Sequence, residues 1–125
     1  MKKKILLIDD DKGIVEVIRR ALEESQFDVI PAYDGKEGLM QVKLERPDLI
    51  ILDISMPSMN GYEFMRALRT NNIVEGDSMP PVVMLTAKQE MEEIFRMEGA
   101  KEYLVKPVDP LNVVEKVKSL LESNA

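Results

Sequence analysis

Pro47-Asp48-Leu49-Ile50-Ile51-Leu52-Asp53 sets four consecutive aliphatic residues between a proline turn and a carboxylate. A half-solvated strand would alternate polar and apolar residues, whereas a short continuous run is what a strand covered on both faces requires. Such strands belong to parallel sheets, whose crossovers are helices. The flanks agree with this. Upstream, Lys4–Ile8 reads as a strand, and Ile14, Val17, Ile18, Ala21 and Leu22 carry the helical i, i+3, i+4, i+7, i+8 stripe, with Asp11 as N-cap. Val29–Ala32 is a short strand, Asp34-Gly35 punctuates, and Lys36–Glu45 is a helix. Downstream, Pro57, Asn60 and Gly61 make a loop, and Phe64, Met65 and Leu68 mark a helix. Val82–Leu85 is a strand, and Met91, Ile94 and Phe95 belong to a helix ending at Gly99. Glu102–Val105 is a strand, and Asp109-Pro110 opens a last helix striped by Val113, Val114, Val117, Leu120 and Leu121.

Five strands alternate with five helices. That pattern predicts an α/β fold, a doubly wound parallel five-stranded sheet. The order expected is the flavodoxin-like 2-1-3-4-5, with ligands bound outside the strand C-termini where the order reverses. The 125 residues suit one domain, 1–125. No apolar run approaches the roughly 20 residues that span a bilayer, so no membrane insertion is expected. The basic start Met1-Lys2-Lys3-Lys4 leads into an apolar stretch that stops at Asp9, too short for a secretory signal; a cytoplasmic protein is expected. A net charge of −6 argues against direct nucleic-acid binding by this chain. With no cysteine and no histidine, thiol chemistry, zinc-thiolate sites and the usual general base are excluded. A metal here must be a hard one held by oxygen.

The strand ends carry the charge. Asp9, Asp10 and Asp11 follow the first strand, Asp53 the third, and Lys106 the fifth. In the predicted order these meet in one crevice, and crowded carboxylates call for a cation or for chemistry. Singly, each Asp reads better as a helix cap or a solvated strand end, and Asp11 as a cap in any case. Together, Asp9, Asp10 and Asp53 suit Mg²⁺, with Mn²⁺ as the alternative. A carboxylate such as Asp53 can attack phosphorus to form an acyl phosphate. Lys106 then serves either as a second cation or as an ordinary ion-pair partner. Thr86 is a hydrogen-bond donor to a phosphoryl oxygen or a backbone-satisfied buried threonine, and the small Ala87 leaves room beside it. Lys106-Pro107 is a candidate cis peptide in a turn that aims the lysine. Tyr103 packs inward or faces solvent, and a two-position ring is a readout element.

These stretches, taken together, resemble the receiver domain of bacterial two-component response regulators, the CheY-like family. The matching runs are Ile5-Leu6-Leu7-Ile8-Asp9-Asp10-Asp11, Pro47-Asp48-Leu49-Ile50-Ile51-Leu52-Asp53-Ile54-Ser55-Met56-Pro57, Asn60-Gly61, Leu85-Thr86-Ala87, Gly99-Ala100 and Tyr103-Leu104-Val105-Lys106-Pro107. The resemblance implies that Asp53 is the phosphoacceptor. It implies direct Mg²⁺ ligation by Asp10 and Asp53, a water-mediated role for Asp9, and a ligand from the backbone carbonyl of Ser55. Thr86 and Lys106 would grip the phosphoryl group, and Tyr103 would be the switch aromatic. The donor would be a phosphohistidine on a sensor histidine kinase or histidine phosphotransfer protein. The output would be a downstream effector protein or a C-terminal output domain. The chain would catalyse only its own phosphotransfer and slow autodephosphorylation, and so is not an enzyme with an external substrate.

The alternatives fit less well. A flavin carrier needs a hydroxyl- and glycine-rich phosphate loop where this chain has three carboxylates. An aspartyl phosphatase of the haloacid dehalogenase type wants a second Asp at the position of Ser55. A phosphorylation-independent adaptor has no need of the intact acidic and basic set. Two departures from the family pattern stand out: Thr86 to Gly99 is short, predicting a short or displaced fourth helix, and Thr70–Pro81 is long. Ser55 and Lys88, two positions after Asp53 and Thr86, are expected to tune hydrolysis of the acyl phosphate. Lys88→Ala is expected to shorten the lifetime of the phosphoryl group several-fold, followed by intact mass against time; an unchanged lifetime removes Lys88 from this role.

Overall fold

A computed structural model describes residues 2–54, 56, 59–70, 79–87 and 99–123. The expected fourth helix, the body of the Thr70–Pro81 loop, Ser55, Pro57 and Lys88 lie outside the described residues. The five strands are β1 (Lys4–Ile8), β2 (Asp28–Ala32), β3 (Leu49–Asp53), β4 (Val82–Thr86) and β5 (Glu102–Val105). The described helices are α1 (Lys12–Glu24), α2 (Gly35–Glu45), α3 (Gly61–Thr70) and α4 (Pro110–Ser123). All pairings are parallel, in the order β2-β1-β3-β4-β5, as the alternation predicts.

Strand parity builds the two cores. Leu6 and Ile8, Ile50 and Leu52, and Val82 and Met84 join Val42 of α2 and Phe64, Met65 and Leu68 of α3. Ile5 and Leu7, Leu49 and Ile51, and Val83 and Leu85 join Val15, Ile18 and Leu22 of α1 and Val113, Val114 and Val117 of α4. Every residue of β3 and β4 is buried, which is why Leu49–Leu52 reads as an unbroken apolar run. Each fully buried Leu or Ile contributes about 1.5–3 kcal/mol, so the central strands form a stiff base for whatever sits at their ends. Pro31 lies in β2, an edge strand, where a missing N–H donor costs least.

Local signals place the helix starts. Asp11 caps α1, its side chain accepting from the N–H groups of Gly13 and Ile14. Asp34 caps α2 through Glu37 N–H at 2.7 Å. Asn60 and Glu63 form a reciprocal pair at the start of α3: Glu63 N–H donates to Asn60 Oδ1 (2.9 Å) and Asn60 N–H to Glu63 Oε1 (3.3 Å). Asp109 accepts from Leu111 N–H at 2.9 Å ahead of α4. Gly99 has φ +104°, the left-handed region that favours glycine, and the helix it is expected to end lies outside the described residues.

The stripe of α1 differs in one respect. Val15 is buried, whereas Val17 is 54% exposed. Ile14, Ile18, Ala21 and Leu22 pack against the core as the stripe predicts, Val15 joins them, and only Val17 turns away. No helix among the described residues is long and apolar enough to cross a membrane.

Candidate functional site

Parity also aims the carboxylates. Ile5 and Leu7 face α1 and α4, so Asp9 continues their row, while Asp53 completes the row of Leu49 and Ile51. Ile8 stands beside Leu52, so the next residues, Asp9 and Asp53, stand at one level on adjacent strands. Asp9 N–H donates to Ala32 O (3.1 Å), extending the β1–β2 ladder by one step and fixing the Asp9 backbone. Asp53 is the last residue of β3 and pairs with Leu85, one residue before Thr86. Thr86 pairs with Val105, and Lys106 N–H donates to Thr86 O. Four strand ends thus supply Asp9, Asp53, Thr86 and Lys106 in sequence across the sheet.

Asp9 and Thr86 are fully buried and Asp53 is 4% exposed. Asp10 is exposed. Carboxylate oxygens of Asp9, Asp10 and Asp53 lie within 4.8 Å of one another. Lys106 Nζ reaches Asp9 Oδ2 at 2.9 Å and Asp53 Oδ2 at 3.6 Å. The second oxygen of Asp9 accepts from the backbone N–H of Asp11 at 2.9 Å. Burial pushes the Lys106 ammonium down, but the hydrogen bond to Asp9 and the charges of Asp53 and Asp9 outweigh it, and its pKa is raised overall. The lysine is therefore a firm cation. Three carboxylates against one ammonium still leave excess negative charge, and three hard oxygen donors at this spacing fit a small divalent cation.

Ala87 is exposed next to Thr86. The Lys106–Pro107 peptide is cis, as its sequence suggests. Tyr103 is 6% exposed and belongs to the core cluster that includes Met65 and Met84, so of its two readings the inward one holds. Ser55 and Lys88 lie outside the described residues.

No local pattern points to an apolar groove of about 760 Å³ that opens beside Lys106, walled by Ile14, Val17 and Ile18 of α1 and by Pro107, Val108 and Pro110. Asp11, Ala87 and Lys106 also line it. Its signal in the sequence is Val17, which the helical stripe of α1 includes and which instead forms a wall.

The family model described as the response regulator receiver domain matches residues 5–118. The chain belongs to this family. It is 42% identical over 123 residues to the alkaline phosphatase synthesis transcriptional regulatory protein PhoP of Bacillus subtilis, covering 97% of this chain and 49% of that protein. It is 37% identical over 126 residues to the DNA-binding response regulator MtrA of Mycobacterium leprae, covering 99% and 53%. The chain thus spans about half the length of these curated relatives. Among solved structures it is similar to the receiver domain of the Francisella response regulator 1452 (TM-score 0.88, 31% identity, 99% of this chain and 100% of that chain). It is also similar to the Vibrio cholerae chemotaxis protein CheY4 (TM-score 0.85, 30% identity, 96% and 99%). Receiver domains of this family are two-component signalling switches, and the cluster of Asp9, Asp10 and Asp53 belongs to one that could bind a metal.

Proposed function

We propose that this receiver domain is switched by phosphorylation of Asp53, with the phosphoryl group drawn from a phosphohistidine on a sensor kinase or phosphotransfer protein. One observation carries the reading: the Asp53 carboxylate lies 3.6 Å from the Lys106 ammonium and beside two further carboxylates. An Asp53 oxygen attacks phosphorus, the O–P bond forms as the N–P bond breaks, and the electron pair returns to the donor imidazole, which takes up a proton. Lys106 neutralises charge on the incoming phosphoryl oxygens, the Thr86 hydroxyl donates to one of them, and Ala87 leaves them space. Asp10 and Asp53 would hold Mg²⁺, or Mn²⁺, with Asp9 acting through water and Ser55 through its carbonyl. When bound, that cation supplies charge neutralisation on the phosphoryl group. Slow attack by water on phosphorus then breaks the Asp53 O–P bond, releasing inorganic phosphate and restoring the Asp53 carboxylate. The chain acts on itself and turns over no external substrate.

The apolar groove between α1 and the loop before α4 favours a protein donor, since it offers a docking wall beside Lys106. Because Tyr103 is already inward, phosphorylation would act by holding that ring in place, a shift of population rather than a new position. A cytoplasmic setting suits such a donor. The relatives' names speak of transcriptional regulation and DNA binding. The output is accordingly an attached output domain that binds DNA or a separate effector protein, while this acidic domain does not itself bind nucleic acid.

The test is incubation with acetyl phosphate, with and without Mg²⁺, followed by intact mass. One phosphoryl adduct is expected with Mg²⁺ and little or none in EDTA. No adduct under either condition overturns the reading.

A further inference from the structure

Asp11 has a place in the site that its role as a helix cap does not exhaust. Its side-chain Oδ1 accepts from Gly13 N–H at 3.0 Å and Ile14 N–H at 3.2 Å. Its backbone N–H donates to Asp9 Oδ1 at 2.9 Å. The same residue therefore ties the first turn of α1 to one oxygen of Asp9, while Lys106 holds the other oxygen at 2.9 Å. Asp9 is fully buried, so its carboxylate orientation follows from these two partners. A carboxylate pinned on both oxygens is preorganised, and groups that orient a ligand set govern its affinity for a cation. The capping geometry decides where the Asp11 N–H points: without the side-chain bonds the backbone at position 11 is free to rotate out of the β-region that the cap enforces (φ −86°, ψ 102°).

We propose that Asp11 is a positioning residue for the acidic centre, acting through Asp9 by its cap and not by its charge. The inference rests on the reading of Asp9, Asp10 and Asp53 as a divalent-cation site. Asparagine caps a helix as well as aspartate does, and alanine does not. Asp11→Asn is therefore expected to keep the Mg²⁺ dissociation constant within about twofold of the parent, and Asp11→Ala to weaken it about fivefold to tenfold. Hydrogen exchange of the amide at position 11, measured without metal, is expected to quicken about tenfold in Asp11→Ala and to stay unchanged in Asp11→Asn. Asp34→Ala removes the corresponding cap of α2 and serves as the control for a merely structural effect: it is expected to lower stability by a similar amount and to leave Mg²⁺ affinity unaltered.

Unchanged affinity in Asp11→Ala overturns the proposal, as does equal loss in Asp11→Asn, which would assign the effect to charge. Equal loss in Asp34→Ala would reduce it to general destabilisation. A parent domain that binds no Mg²⁺ at all would instead overturn the cation site itself, and with it this inference.

Discussion

Asp53→Asn is expected to abolish phosphoryl incorporation from acetyl phosphate and, in EDTA, to make the fold more stable. The first effect follows from removing the attacking oxygen: an amide is no nucleophile toward phosphorus at neutral pH. The second follows from crowding. Asp53 is 4% exposed and shares its space with Asp9 and Asp10, while Lys106 sits closer to Asp9 than to Asp53. Replacing one of three neighbouring carboxylates by an amide of the same shape relieves the repulsion among them. A gain of about 0.5–2 kcal/mol is expected, the range usual for relaxing a functional site, and denaturant unfolding without divalent cation measures it. Saturating Mg²⁺ should narrow the difference, since the parent then gains binding energy that the variant lacks. An adduct that survives the substitution would move the phosphoacceptor elsewhere. A loss of stability in EDTA would show that the attraction of Lys106 outweighs the repulsion.

Lys106→Met is expected to have the opposite effect on stability. Asp9 is fully buried, and Lys106 is its one cationic partner among the described residues. Removing one member of a buried pair leaves an uncompensated charge, at a cost of about 3 kcal/mol. The lysine is 20% exposed in its side chain, which puts the cost toward the lower end of the range for such pairs. With the ammonium gone, three carboxylates face each other, so Mg²⁺ should bind more tightly and recover part of the lost stability. Phosphoryl incorporation should fall nonetheless, because the cation that meets the incoming phosphoryl oxygens is missing. Parallel denaturant titrations in EDTA and in Mg²⁺ separate these effects. A variant as stable as the parent in EDTA would mean that Asp9 does not depend on the lysine.

The strands were legible because their evidence is local. Leu49–Leu52 and Val82–Leu85 are apolar throughout since both faces of β3 and β4 are covered. Asp11 and Asp109 mark helix starts by hydrogen bonds that reach only two or three residues ahead. Val17 departs from its stripe for the complementary reason. It shares the period of Ile14, Ile18, Ala21 and Leu22, which do pack against the core, and only the contacts α1 makes there leave Val17 out and bring Val15 in.

Local patterns are enough to read the alternation of strands and helices, the strand order it implies, and which charged residues stand at the strand ends. Hydrophobic period, turn chemistry and capping all act within a few residues, so they can be read without coordinates. Tertiary structure decided the rest. It brought Lys106 to Asp9 across a separation of 97 residues, at 2.9 Å, with Asp53 at 3.6 Å. It turned the Tyr103 ring inward and opened a groove beside Val17. Those outcomes depend on inter-strand register, on the path of the loop after β5 and on the packing of α1. These are contacts between segments far apart in the chain, and no local pattern encodes their distances.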